Sequence, residues 1–179
     1  SGSTYYFRVY TANANSRVLF KVCVSNVPPP SNNDCSNAIT ATTTNFNCLQ
    51  TTNGTTVAAT ESMPRCSGTG VAPVYDVWYK FIATQTTAKI NVQSGLNFDA
   101  IVQALSNVTC ASSYMQLQCV NNTGSGGLET VALSGLTVNN TYYIRIYNNT
   151  GHTGTNFEIC LTNTSSSLPD LTITAGTQS

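Results

Sequence analysis

The chain has 179 residues, enough to bury a core without help from a metal, and only 8% of them are charged, with seven basic and seven acidic side chains in balance. Arg8, Arg17, Lys21, Arg65, Lys80, Lys89 and Arg145 are scattered, so the cation cluster that displaces counterions from phosphates is missing and no nucleic-acid partner is expected. No run reaches the roughly 18 apolar residues of a membrane-crossing helix, so no membrane insertion is expected either.

Residues 1–26 read as a β-hairpin. Tyr5, Phe7 and Val9 alternate with Tyr6, Arg8 and Tyr10; after a polar turn, Phe20, Val22 and Val24 alternate with Lys21 and Cys23. This period of two is that of strands with one apolar face. The same text returns later: Ser3 to Asn26 aligns without a gap onto Asn140 to Asn163, 137 residues on, with eight identities in 24. Among them are Tyr5/Tyr142, Arg8/Arg145, Tyr10/Tyr147, Phe20/Phe157 and Cys23/Cys160. An echo at a fixed period marks tandem modules. Since the second copy closes a module, the first is expected to close an upstream repeat, and the chain to start inside a domain. Two strands are marginal alone, and leaving six large apolar side chains wet forfeits roughly 9 to 18 kcal/mol as an upper estimate. The segment therefore has to be covered either by the rest of an upstream repeat or by a neighbouring copy that it completes by strand addition. The second route makes a polymer, because head-to-tail contacts that do not close give filaments.

Residues 27–33, VPPPSNN, form a stiff proline-rich linker. A complete module then runs over 34–164. Its strand candidates are Asn37–Thr42, Thr55–Thr60, Tyr75–Ala83, Ala88–Gln93, Phe98–Leu105, Tyr114–Val120, Leu128–Leu133, Thr141–Tyr147 and Asn156–Thr162. Short β runs split by Gly, Asn and Ser turns predict an all-β fold, a two-sheet antiparallel β-sandwich with minimal helix. The Gly124–Gly127 run lacks the strand-to-helix setting of a phosphate loop and reads as a turn. Residues 165–179 read as a linker and the first strand of a following module. Thr, Ser and Asn supply 66 residues, a surface dress suited to outward strands and turns.

Seven cysteines without C-x-x-C spacing, beside a single histidine, argue for disulfides and an oxidising, extracellular setting, not for a zinc site. The favoured pairing joins Cys110 to Cys119, Cys48 to Cys66 and Cys35 to Cys160, and leaves Cys23 for another repeat or subunit. Its competitor joins Cys23 to Cys35 and leaves Cys160 for the next unit. His152 aligns with Asn15 of the first copy at a turn tip, and no acid or base partner is placed beside it. The Tyr143, Arg145, Tyr147 ladder and Trp78 read in two ways: an open aromatic face for a sugar or a subunit, or cross-strand packing over the second side of the sheet. Six sequons are candidate glycosylation sites, at Asn53, Asn107, Asn121, Asn139, Asn148 and Asn163.

The runs NNDCSNAIT, DVWYKF, FDAIVQAL, the Cys110 and Cys119 pair followed by VNN, LSGLTVNNTYYIRIY and FEICL carry a family likeness. Together they resemble the tandem pre-peptidase C-terminal-like modules of large secreted or surface proteins of Bacteroidota, a jelly-roll class with some likeness to CUB domains. LPDLTIT, from Leu168, resembles the opening of a CARDB-type module. The resemblance implies an accessory, non-enzymatic role in adhesins, in filaments or beside hydrolase domains. In some members of that class acidic residues after the second cysteine of the short pair offer a place for calcium; this chain has Asn121 and Asn122 there, with Asp76, Asp99 and Glu129 as weak candidates that leave a cation cage short of charge, so they are expected to cap turns and no cofactor is expected. The leading expectation is a structural or adhesive module of an extracellular filament or surface adhesin, partnered by copies of itself or adjacent repeats. The alternative is a glycan-binding or targeting domain of a secreted hydrolase, carried by the Tyr-Arg-Tyr face.

Overall fold

The computed structural model describes residues 4–13, 15, 17–24, 26–44, 47–67, 74–110, 113–149 and 154–163. Among these described residues ten strands follow one 3-10 turn at Cys35–Asn37: β1 (Ile39–Thr40), β2 (Thr43–Thr44), β3 (Thr52–Thr55), β4 (Asp76–Ile82), β5 (Thr87–Ser94), β6 (Ala100–Ser106), β7 (Met115–Val120), β8 (Leu128–Ser134), β9 (Thr141–Asn148) and β10 (Asn156–Thr162). They build two facing sheets. The first has the order β1-β4-β9-β6-β7; the second runs β2-β10-β5-β8, with β3 also pairing β10. Long neighbours are antiparallel, but β1 with β4 and β2 with β10 are short parallel pairs, so both sheets are mixed, where a wholly antiparallel sandwich was expected. The reason is local: Ile39–Thr44 crosses from one sheet edge to the other, and each two-residue strand runs in the direction that this crossing dictates.

Alternation sets the core. On β4, Val77, Tyr79 and Phe81 face inward; on β9, Tyr142, Ile144 and Ile146; on β5, Ala88, Ile90 and Val92; on β10, Phe157, Ile159 and Leu161. Ring contacts lock the interior, Phe98 stacking on Phe157 and Phe81 on Tyr142. The first sheet is also covered on its outer side. There Trp78 and Leu105 pack with Ala38, Met63 and Val108, and Ile101 and Tyr147 pack with Val74, Cys66 and Cys119. A strand buried on both faces reads as a continuous apolar run, which is what AIVQALS of β6 does.

The second copy of the sequence echo is not a hairpin. β9 lies at the centre of the first sheet, between β4 and β6, and β10 at the centre of the second, between β5 and β2 with β3. The two strands arch across the sandwich; each keeps its own apolar face toward the gap between sheets, so one alternating pattern serves either geometry. The first copy forms no strand among the described residues of 4–24, and every described residue from Thr4 to Pro29 is exposed, Tyr5 at 87% and Leu19 fully. The expected hairpin is thus absent from the described part of this segment: two strands have no second sheet to lie on here.

Candidate functional site

Three features qualify as sites: a polar cluster behind β4 and β9, a groove at one edge of the sandwich, and the exposed segment 4–24. The cluster centres on Arg145, whose side chain and that of Asp76 are both fully buried. Arg145 Nε donates to Asp76 Oδ2 at 2.5 Å, and its terminal nitrogens donate to the carbonyls of Pro64 and Met63 and to Gln103 Oε1. Gln103 in turn donates to Gln116 on β7. Ser62 donates through N–H and Oγ to Asp76 and accepts from Trp78 Nε1 at 3.0 Å. The Arg145 guanidinium also lies 4.6 Å from the centre of the Tyr147 ring. Burial pushes the Asp76 carboxyl above its ordinary 3.8, against the pull of Arg145 and of the Ser62 hydrogen bonds. Chemically this is a clamp that ties the 60–67 segment down onto the sheet.

This corrects the reading of Tyr143, Arg145, Tyr147 and Trp78 as an open face. Arg145 and Tyr147 are fully buried, Trp78 is 3% exposed and Tyr143 is half-buried. The 60–67 segment and Val74 cover the face that the ladder was expected to present.

The cysteine pairing is corrected throughout. Cys35 bonds Cys110, Cys48 bonds Cys160, and Cys66 bonds Cys119, while Cys23 is unpaired and exposed. Strand order explains each bond. Cys119 on β7 shares the outer side of the first sheet with the segment that carries Cys66. Cys160 sits on β10, whose β2 and β3 neighbours flank the loop that holds Cys48. Cys35 and Cys110 meet beside Trp78, at the rim of a small cavity of about 300 Å³.

The weak calcium candidates do not come together. Asp76 is engaged by Arg145. Glu129, fully buried on β8, accepts from the backbone N–H of Asn122 and Thr123 and from the Thr123 hydroxyl, fixing the turn after β7. Asp99 accepts from the Asn149 amide at 2.8 Å. Among the described residues no three His, Cys, Asp or Glu side chains converge. Of the sequons, Asn53, Asn107 and Asn139 are exposed and Asn121 and Asn163 half-buried, whereas Asn148 is fully buried with its Oδ1 accepting from the Asp99 N–H, so it cannot carry a glycan in this fold. His152 and the stretch with the CARDB-like opening lie outside the described residues.

The groove, of about 690 Å³, opens where β3 and β10 of one sheet face β1 and β4 of the other. Amides of Asn32, Asn53, Gln93 and Asn156 line it, around Tyr79 and Phe157. Burial pushes the Tyr79 phenol up to about 12. Gly54 makes the packing here possible, because a Cβ there would lie 2.3 Å from the Phe157 ring and 2.4 Å from the Tyr79 hydroxyl. Residue spacing carried no sign of this groove, whose lining is drawn from six separate stretches.

A family profile described as galactose binding domain-like, of T9SS-associated modules, matches residues 31–159. The chain belongs to that family. The T9SS-associated module so defined begins in the linker and ends inside β10, so it takes in the clamp, the groove and most of the sandwich, and leaves out segment 4–24. Membership and three disulfides make this a secreted or extracellular protein, and the family is one of non-catalytic accessory modules. The pre-peptidase C-terminal domain of a collagenase from Bacillus anthracis is similar over 76% of this chain and 99% of that domain, at 13% identity and a TM-score of 0.42. No curated protein matches the chain.

Proposed function

We propose that the chain is a non-catalytic structural module of an extracellular filament or multi-unit surface adhesin, joined to its neighbour through residues 4–24. The observation that carries this reading is the exposure of Tyr5, Phe7, Val9, Phe20, Val22 and Val24, whose counterparts Tyr142, Ile144, Ile146, Phe157, Ile159 and Leu161 are core residues of β9 and β10. A soluble surface rarely tolerates so long an apolar run without a partner. Negative-stain microscopy of native extracellular material should show strings or filaments of globular units; dispersed single particles would overturn the reading.

A glycan-binding appendage is the second reading. With the aromatic ladder buried, its support is the amide-lined groove around Tyr79 and Phe157, since sugar sites combine a few placed polar groups with ring surfaces. A glycan array should give signals that Asn53→Ala removes with the melting temperature unchanged, and a blank array ends this reading.

A further inference from the structure

We infer that residues 4–24 supply the β9 and β10 strands of a second sandwich, built on the same plan as this one but not identical to it, and that Cys23 bonds the cysteine standing there at the Cys48 position. This rests on the reading of residues 4–24 as the joining segment, and it fixes how and to what they join.

The plan comes from the internal echo laid over the fold. Arg145, Tyr147, Phe157 and Cys160 are each committed to a specific buried role, and Arg8, Tyr10, Phe20 and Cys23 repeat them at an offset of 137. Arg8 already lies 5.5 Å from the Tyr10 ring centre, as Arg145 lies over Tyr147. An arginine next to apolar and aromatic residues on a strand needs a buried acid, so the acceptor carries one at the Asp76 position. Because β9 and β10 are central strands of different sheets, the segment does not add to an edge. It enters the interior of both sheets, and the acceptor has none of its own strands there.

The non-identity comes from Gly154. A Cβ at that position would lie 2.5 Å from the Val57 Cα and 2.8 Å from the Thr56 carbonyl oxygen and the Val57 nitrogen, all backbone atoms that cannot swing aside. The aligned residue of the first copy is Arg17. In the core, Phe7 stands for Ile144 and Val9 for Ile146, both fully buried, so the acceptor interior is shaped differently at two adjacent inward positions. This sandwich is moreover filled, with Cys48 bonded to Cys160. Arg17 therefore acts as a specificity residue that rejects copies of this module and leaves a unit with a roomier turn after β3. Cys23 closes the junction by exchange with a disulfide oxidant: two S–H bonds break, one S–S bond forms, and two electrons with two protons reduce the oxidant to two thiols.

Two measurements test this. In the full chain carrying Cys23→Ser, residues 140–163 are replaced by the sequence of residues 3–26, once unchanged and once with Arg17→Gly in the graft. The Arg17→Gly graft should fold and bond its cysteine to Cys48 in a non-reducing peptide map, while the unchanged graft should melt roughly 5–10 °C lower. A Gly graft without that bond overturns the shared plan, and two grafts melting together overturn the role of Arg17. In native material Cys23 should be linked to a peptide outside residues 27–163; a free Cys23 thiol, or a bond to Cys48 of an identical copy, overturns the inference even where microscopy shows assembled material. Dispersed particles beside well-behaved grafts would instead sink the proposed function alone.

Discussion

Arg145 and Asp76 show how a buried charge is kept. Each is removed from water, and the pair survives because the remaining guanidinium hydrogens reach the carbonyls of Met63 and Pro64 and the Gln103 side chain. Arg145→Ala leaves an uncompensated carboxylate in the interior and should destabilise the fold by about 3–5 kcal/mol in denaturant titration, whereas Arg8→Ala should leave the isolated chain unchanged. Tyr79 gives a pH signature. Its phenol is neutral in the fold up to about pH 12 but ionises near 10 when unfolded, so the unfolded state sheds a proton first and stability falls by ~1.4 kcal/mol per pH unit as pH rises between the two. Tyr79→Phe should flatten that alkaline slope in denaturant midpoints measured across the window. The alternation of TYYIRIY told which residues share a side with Arg145, but not whether that side is covered. A signal was present nonetheless: Asp76 has the same parity on DVWYKF as Trp78, and the one acid of that strand and the one arginine of TYYIRIY are candidates for each other.

Strands β4, β5 and β7 to β10 were legible because each is long enough for its period of two to stand out, and β6 through its apolar run, while Asn156–Thr162 is bounded in the structure as in the sequence. The two-residue β1 and β2 carry no period at all, and β3 occupies Thr52–Thr55 where Thr55–Thr60 was expected. There Gly54 decides: it is the residue that lets the backbone approach Phe157 and Tyr79, and a glycine inside a strand is a mark of such close approach. Gly54→Ala should cost about 1–3 kcal/mol by overpacking, read as a lower thermal midpoint. The disulfides were not legible, because pairing follows spatial order and proximity in sequence suggested neighbours that the sheets separate. Cys48 and Cys160 lie 112 residues apart along the chain, and losing so long a closure through Cys48→Ser with Cys160→Ser should cost about 4–5 kcal/mol in the entropic account.

On the scale of the molecule, a disulfide-stapled sandwich is preceded by an exposed apolar arm. Since every described residue from Thr4 to Pro29 is exposed, deleting residues 1–26 should leave the sandwich's melting temperature within about 1 °C by calorimetry and should raise its solubility. A large drop in melting temperature would mean that the arm packs on its own sandwich. The sandwich class was readable from the count and spacing of strands. That the echo spans two sheets was not, because an arch and a hairpin share one alternation pattern.

The central placement of β9 and β10 governs how the module comes into being. Neither sheet has its middle until the residues up to Thr162 are available: β5 pairs β8 and β6 pairs β7, but β4 meets β6 only through β9, and β2 and β3 meet β5 only through β10. Such non-local closure is slow and leaves little room for a stable half-built intermediate. A chain released in order from its N-terminal side would thus stay open until its last strands are free, and only then snap shut.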